Sequence, residues 1–349
     1  MSDYTLSSIY PSDSRSMRLV RQLLEAEGIR QDKNLDYTCA LFDDDMNVIA
    51  TGSCFGNTLR CLAVSKAHQG EALMNQILTH LIEVQYERGN FHLFLYTKCN
   101  SAPFFRSLGF YEIARIPDQI VFMENRKTGF SDYLKKLETE AAPNGGSIAA
   151  LVMNANPFTL GHQYLVEKAA AENDLVHLFL VSEDASLVPF AVRKKLVQEG
   201  TAHLSNVVLH DSGPYIISSA TFPSYFQKDE SAVIESHAMI DLTVFTQIAQ
   251  RLQITRRYVG EEPFSLVTGI YNRIMSEKLP EQGIECVIVP RKTENDQAIS
   301  ASNVRQAIKD GDLERLKQLV PESTYRYFAG PEGEAVVARI KAEDNVIHY

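Results

Sequence analysis

The stretch Ile148-Ala-Ala-Leu-Val-Met-Asn-Ala-Asn-Pro-Phe-Thr-Leu-Gly-His162 decides how the chain is read. Its first six residues form an unbroken apolar run, short enough for a strand covered on both faces. Asn156-Pro157 interrupts the run, and Thr159 then offers a hydroxyl suited to cap a helix. The residues after it predict a helix over 160–172. A strand passing through a short loop into a helix gathers unpaired N–H groups and a positive dipole end at one place, which suits phosphate. Gly161 lets a ligand approach the backbone, and His162 in the first turn aims at the same space. Taken alone, the string also fits an ordinary helix start.

Downstream, apolar runs at 176–181, 206–209, 257–259 and 286–289 read as strands, with helical patterns near 189–203, 238–252 and 263–277. This alternation predicts an α/β domain with a doubly wound parallel sheet of Rossmann type. Ligands then bind at the carboxyl ends of the strands, near the switch in strand order. A second motif, Ile299-Ser-Ala-Ser-Asn-Val-Arg305, supplies Ser300 and Ser302 as cap or phosphate-facing hydroxyls. Arg305 follows one helical turn later, with a planar fork suited to phosphate. Lys292 or its neighbour Arg291, just past the last strand, is a further phosphate candidate. Arg193, Lys194 and Lys195 read mostly as a solvated charge run. His177, His203, His210 and His237 lack metal-ligand spacing, and 212–226 reads as an ordered loop beside the site.

Upstream the pattern changes. Residues 36–42, 48–53 and 59–64 read as neighbouring strands, with Asp43-Asp-Asp45 as a solvated turn. A helix follows with Leu73, Met74, Ile77, Leu78, Leu81 and Ile82 on one face, then a strand at 91–96, a short helix at 102–108 and strands through Phe122. The loop His68-Gln-Gly-Glu-Ala72 between strand and helix can cradle a pyrophosphate on its N–H groups. The turn-forming Ala141-Ala-Pro-Asn-Gly-Gly-Ser147 marks the joint, preceded by an amphipathic stretch over 130–140. The expected division is 1–126, a connecting helix and linker over 127–147, and 148–349.

A chain of 349 residues with 45% hydrophobic and 22% charged content fits two folded domains rather than one core or a disordered chain. The net charge of −10 argues against general nucleic-acid binding, which needs a basic footprint. Apolar runs fall short of the ~18 residues of a membrane span, so no membrane partner is expected. The start of the chain carries no secretory pattern. Five cysteines, Cys39, Cys54, Cys61, Cys99 and Cys286, without close pairs, read as reduced thiols of a cytoplasmic protein, not as a disulfide or zinc framework.

Thr159-Leu-Gly-His162 together with 299–305 resembles the nucleotidylyltransferases that carry a (His/Thr)-x-Gly-His motif. The loop at 68–72 and Ala102-Pro-Phe-Phe-Arg-Ser-Leu-Gly-Phe-Tyr111 resemble acetyltransferases of the Gcn5-related (GNAT) kind. The two in this order resemble the citrate lyase ligase family over nearly the whole chain, and Ser212-Gly-Pro-Tyr-Ile-Ile-Ser218, Thr221-Phe-Pro-Ser-Tyr-Phe226 and Val259-Gly-Glu-Glu-Pro-Phe-Ser265 agree.

That resemblance implies an enzyme that adenylates acetate with ATP and magnesium. It then acetylates the thiol of a phosphoribosyl-dephospho-CoA group on the citrate lyase acyl carrier subunit. It implies His162, Thr159 and Arg305 as catalytic residues. The implied ATP site adds Asn156, Phe158, Gly161, Gly260, Glu261, Lys292, Ser300 and Ser302. The implied CoA-like site comprises Val64, Gln69, Gly70 and Ala72, and no protein-held metal is expected. Three rivals stand beside it. A transferase joining AMP or CMP to a phosphorylated acceptor would exchange pyrophosphate without acetate. An acetyl-CoA-dependent acetyltransferase would need no ATP. A nucleotide-sensing module would bind ATP and release no pyrophosphate.

Overall fold

Along Tyr37-Thr-Cys-Ala-Leu-Phe42 successive side chains leave opposite faces of a strand, and here both faces are buried. Cys39 and Leu41 join one apolar cluster; Ala40 and Phe42 join another. The computed structural model describes residues 4–32, 34–70, 72–141, 146–182, 186–216, 230–261, 266–294 and 297–346. They divide into two units, Met1–Ser131 with Thr221–Thr243, and Asp132–Ala220 with Val244–Tyr349.

The first unit orders β1 (Thr5–Ser8), α1 (Ser14–Ala26), β2 (Tyr37–Phe42), β3 (Val48–Phe55), β4 (Thr58–Val64), α2 (Leu73–Glu87), β5 (Phe94–Thr97), α3 (Ala102–Ser107), β6 (Tyr111–Ile116) and β7 (Ile120–Glu124). The sheet runs β1-β2-β3-β4-β5-β7-β6. Neighbours are antiparallel except β4 and β5, which are parallel and pair only at Thr58 with Phe94 and Leu59 with Leu95. Beyond Leu59 the two strands have no mutual pairing, so the sheet opens beside the end of β4. This mixed, splayed sheet is the GNAT-like arrangement expected from the sequence. Leu73, Ile77, Leu78 and Leu81 of α2 bury one face of it, and Val20, Leu23 and Leu24 of α1 bury the other. Each such side chain contributes about 1.5–3 kcal/mol on burial. The acidic turn is a turn: the Asp43 carboxylate accepts from the N–H groups of Asp45 and Asn47.

The division between the units falls inside α4 (Gly129–Glu140). The second unit then runs β8 (Ile148–Met153), α5 (Leu160–Glu172), β9 (Leu175–Leu180), α6 (Phe190–Thr201) and β10 (Val207–Asp211). It resumes within α7 (Glu230–Leu252), whose first part counts with the first unit. It continues through β11 (Arg256–Gly260), α8 (Leu266–Lys278), β12 (Glu285–Val289), the two-residue strands β13 (Thr293–Glu294) and β14 (Gln297–Ala298), and α9 (Ala301–Asp310). It ends with α10 (Leu313–Leu319), α11 (Glu322–Ala329) and α12 (Glu334–Ala342). The main sheet is wholly parallel with order β10-β9-β8-β11-β12. The order reverses direction between β8 and β11, so the loops after those two strands border the crevice.

His177 of β9, His210 of β10 and Glu140 of α4 form a hydrogen-bonded chain on one face of this sheet. His177 Nδ1 lies 2.9 Å from His210 Nε2, and His210 Nδ1 lies 2.8 Å from the Glu140 carboxylate. Burial, reinforced by the charge of His210, pushes the His177 imidazole down to about 4, and burial also lowers His210. Between the ordinary histidine value of 6.5 and about 4, the unfolded chain therefore binds a proton that folded His177 refuses. Stability of the second unit should be full above pH 6.5 and fall as pH drops toward 4, by up to about 1.4 kcal/mol per pH unit from this ring. Urea unfolding followed across that range checks it, and His177→Asn should flatten the slope.

Candidate active site

Thr159 and His162 close on each other at the start of α5. The Thr159 hydroxyl accepts from the His162 backbone N–H at 3.2 Å, and His162 Nδ1 accepts from the Thr159 backbone N–H at 3.1 Å. This is a capping box in which histidine takes the place usually held by Glu or Gln. Because Nδ1 accepts a backbone proton, the neutral ring carries its own proton on Nε2. Burial, then the nearby charge of Arg291, lowers the His162 imidazole to about 4, so the ring is neutral at physiological pH. Its Nε2–H is a fixed, uncharged donor.

Gly161 has a different task from the one its sequence suggests. A Cβ there would stand 3.1 Å from the Ile299 carbonyl oxygen. The backbone that comes close is the protein's own, at the first residue of the second motif. Ser300 is the N-cap of α9, its hydroxyl accepting from the Asn303 N–H at 3.1 Å, which leaves its hydroxyl hydrogen to donate. The first turns of α5 and α9 thus begin side by side, and their positive ends reinforce each other.

Arg305 is buried rather than directed at open solvent. Its Nε donates to the Val346 carbonyl at 2.6 Å, one terminal nitrogen donates to the Asn156 carbonyl at 2.6 Å, and the other lies 3.2 Å from the Ser302 hydroxyl. Burial lowers it to about 10, so it stays charged. Asn156 is also buried: its Oδ1 accepts from the Val188 N–H at 3.0 Å, and among the described residues its Nδ2 has no partner. Phe158, which the sequence places among the ATP contacts, has no exposed surface. It lies against Gly200, where a Cβ would come within 2.4 Å of the ring, and it stacks at 5.9 Å on His162. Its place is in the core beneath the loop.

Across the crevice, Gly260 ends β11 with open space where a side chain would stand, and its carbonyl accepts from Asn272. Glu261 is exposed; its N–H donates to Val289 and its carbonyl accepts from Arg291 Nε. Lys292 is exposed with its ammonium 6.0 Å from the Tyr164 ring, while Arg291 is the cation whose field reaches His162. Residues 262–265 and 217–229, part of the strings read as site loops, lie outside the described residues.

One further reading changes. Arg193 is not solvated but fully buried. Its place was legible after all, since Arg193, Leu196, Val197 and Gly200 form one buried helical stripe. Lys194 pairs with Asp211, and Lys195 with Glu332. The cysteines are free thiols, and burial pushes Cys39, Cys54 and Cys61 up to about 12, so none of these three is a thiolate nucleophile. His177 and His210 hold each other, and His203 pairs with Glu167.

In the first unit, Val64 closes β4, and Gln69 and Gly70 lie exposed beyond a short turn at Lys66–His68. Gly70 and Ala72 both have left-handed backbones, with φ of 95° and 57°. Ala72 precedes α2 without a side-chain cap, and its carbonyl accepts from the Asn75 N–H. Among the described residues no group of three His, Cys, Asp or Glu side chains could hold a metal ion. No described helix is long and apolar enough to cross a membrane.

Replacing Gly161 with Ala should push α5 from Ile299 by a few tenths of an ångström. Affinity for a nucleoside triphosphate, measured by calorimetry, should fall about tenfold or more in a folded protein.

Residues 148–328 match the family of the citrate lyase ligase C-terminal domain. The chain is 39% identical to [citrate [pro-3S]-lyase] ligase of Escherichia coli K12, over 91% of each chain. It is 36% identical to that of Haemophilus influenzae, over 91% of this chain and 96% of the relative, and 41% identical to that of Klebsiella pneumoniae, over 80% and 83%. With relatives at this identity aligned along nearly its whole length, the chain belongs to the citrate lyase ligase family of enzymes.

Proposed function

We propose that the protein is an acetate ligase that activates citrate lyase, working in two steps. A carboxylate oxygen of acetate attacks the α-phosphorus of ATP, the bond to the β-phosphate oxygen breaks, and pyrophosphate leaves behind acetyl-AMP. The sulfur of a phosphoribosyl-dephospho-CoA thiol then attacks the acetyl carbonyl, the bond to the AMP oxygen breaks, and a thioester forms on the acyl carrier subunit of citrate lyase. The observation that carries this reading is the meeting of two helix N-termini beside the neutral Nε2–H of His162.

Each residue has a role that follows from its geometry. His162, held by Thr159, donates to the α-phosphate as negative charge builds there. Ser300, Ser302 and the first turns of α5 and α9 receive the β- and γ-phosphates. Asn156 offers its unpaired Nδ2, and Gly260 and Glu261 take the nucleoside side of the crevice. Lys292 supplies an exposed cation for the leaving pyrophosphate. Arg305 acts from beneath, through the Asn156 carbonyl and the Ser302 hydroxyl. A magnesium ion, where present, would sit on phosphate oxygens and water; no step depends on a protein ligand to it.

The first unit takes the CoA-like arm. Its opened β4–β5 edge, and the N–H groups around Val64, Gln69, Gly70 and Ala72, suit a pantetheine chain and its diphosphate. Residues 1–126 and 148–349 thus serve different ligands, joined over 127–147, in a cytoplasmic protein.

With ATP, magnesium and acetate, hydroxylamine should trap acetyl-AMP as acetohydroxamate; active protein that gives none would overturn acetate activation. Gln69→Trp with Gly70→Trp should leave acetate-dependent pyrophosphate release within about twofold and cut thioester formation on the acyl carrier at least about tenfold. Equal loss of both would show that one unit does not serve the thiol alone.

A further inference from the structure

Arg193 has no exposed surface, sits on α6, and belongs to none of the motifs that mark the site. Removing a guanidinium from water costs several kcal/mol, so its partners show what it is there to hold. Its Nε donates to the Val188 carbonyl at 3.0 Å. One terminal nitrogen shares its two hydrogens among three acceptors, the Asn154 carbonyl at 2.8 Å, the Asn154 side-chain oxygen at 2.9 Å and the Val181 carbonyl at 2.8 Å. Asn154 follows the last residue of β8, Val181 follows the last residue of β9, and Val188 lies in the segment leading to α6. One side chain therefore ties together the carboxyl ends of two adjacent strands and the segment beside them.

The loop so tied is under strain. Ala155, buried between Asn154 and Asn156, has a φ of 50°, a left-handed backbone that costs an alanine about 1–2 kcal/mol. The carbonyl before it is held by Arg193, and the carbonyl of Asn156 after it is held by Arg305. The two guanidiniums come from different helices and grip the loop on either side of the strained residue. Beyond it lie Phe158, locked in the core, and the Thr159–His162 pair.

We infer that Arg193 is a positioning residue for the nucleotide: by clamping Asn154 it fixes the strained backbone that delivers Thr159 and His162 to the phosphates. The inference rests on the reading that this loop receives ATP. Carbonyls drawn inward by two buried cations also place fixed positive charge under the loop, where solvent screens it little.

Calorimetric titration of ATP into the full chain separates this role from plain support, because a misfolded fraction lowers stoichiometry whereas a displaced loop raises Kd. Arg193→Lys keeps the charge but loses the fork. It should raise the ATP Kd about tenfold with stoichiometry near one. Asn154→Ala, at an exposed position, removes one of the clamped atoms without emptying the core and should raise Kd about threefold. In the double variant the two effects should fall short of multiplying, since both break one link. Unchanged Kd in both variants, or falling stoichiometry at constant Kd, would overturn the role, and Asn154→Ala decides alone if Arg193→Lys does not fold. Acetohydroxamate formation by the unaltered protein tests the ATP reading separately, so loss of one idea is not mistaken for loss of the other.

Discussion

A helix cannot start without leaving N–H groups unpaired, and the second unit turns that requirement into its chemistry. At α5 the Thr159 hydroxyl and the His162 ring satisfy each other's backbone N–H groups. Choosing histidine for this partnership fixes its tautomer, since Nδ1 must accept, and leaves Nε2–H as the outward donor. The ring can do this only while neutral, and burial together with Arg291 keeps it so. The same turn lies against Ile299 to bring the α9 start alongside, an approach that any side chain at 161 would widen by a few tenths of an ångström. Cap, tautomer and close approach are thus one constraint expressed in the four residues 159–162.

This is also why that part of the chain was legible and others were not. Strand β8 and helix α5 are specified within 25 consecutive residues, by an apolar run, a break and a cap, and the expected bounds match the observed ones. Outer strands were read a residue or two off because their ends depend on neighbours: β10 extends to Asp211, where the expectation stops at 209. The short, half-exposed β1 carries little signal and was not anticipated; α1 was passed over too, although Val20, Leu23 and Leu24 mark one buried face of it. The helices α10 to α12 likewise carried no motif to draw the eye. Which motif residues face solvent cannot be read from spacing. Phe158 and Arg305 sit in the motifs yet are buried, because the loop is held from beneath by groups distant in sequence. Arg193 was hidden by its company: next to two lysines it looks like a solvated run, and only the stripe with Leu196, Val197 and Gly200 betrays it.

The first unit solves a different problem with different means. Its sheet is held by apolar faces on both sides, and its opening arises where parallel β4 and β5 cease to pair after Leu59. Its buried thiols Cys39, Cys54 and Cys61, held protonated by burial, are packing groups. In the proposed function, backbone N–H groups around Gln69, Gly70 and Ala72, rather than cations, are what would meet the CoA-like ligand, which suits a diphosphate that must also be let go.

A protein with a net charge of −10 must still attract ATP, itself strongly anionic. The resolution is distance. At physiological ionic strength, surface charges beyond about 8–10 Å are largely screened, so the acidic exterior contributes little within the crevice. In the proposed site, what would act is near and shielded from water: two helix starts, a neutral imidazole donor, and the buried guanidiniums of Arg193 and Arg305 beneath the loop. Neither guanidinium needs to touch a phosphate to matter. By drawing the Asn154 and Asn156 carbonyls inward, they set the direction in which the intervening strained backbone and the helix beyond it can face. The site therefore draws its positive character from groups whose positions are fixed before the nucleotide arrives, and such preorganisation spares the reaction the cost of arranging them.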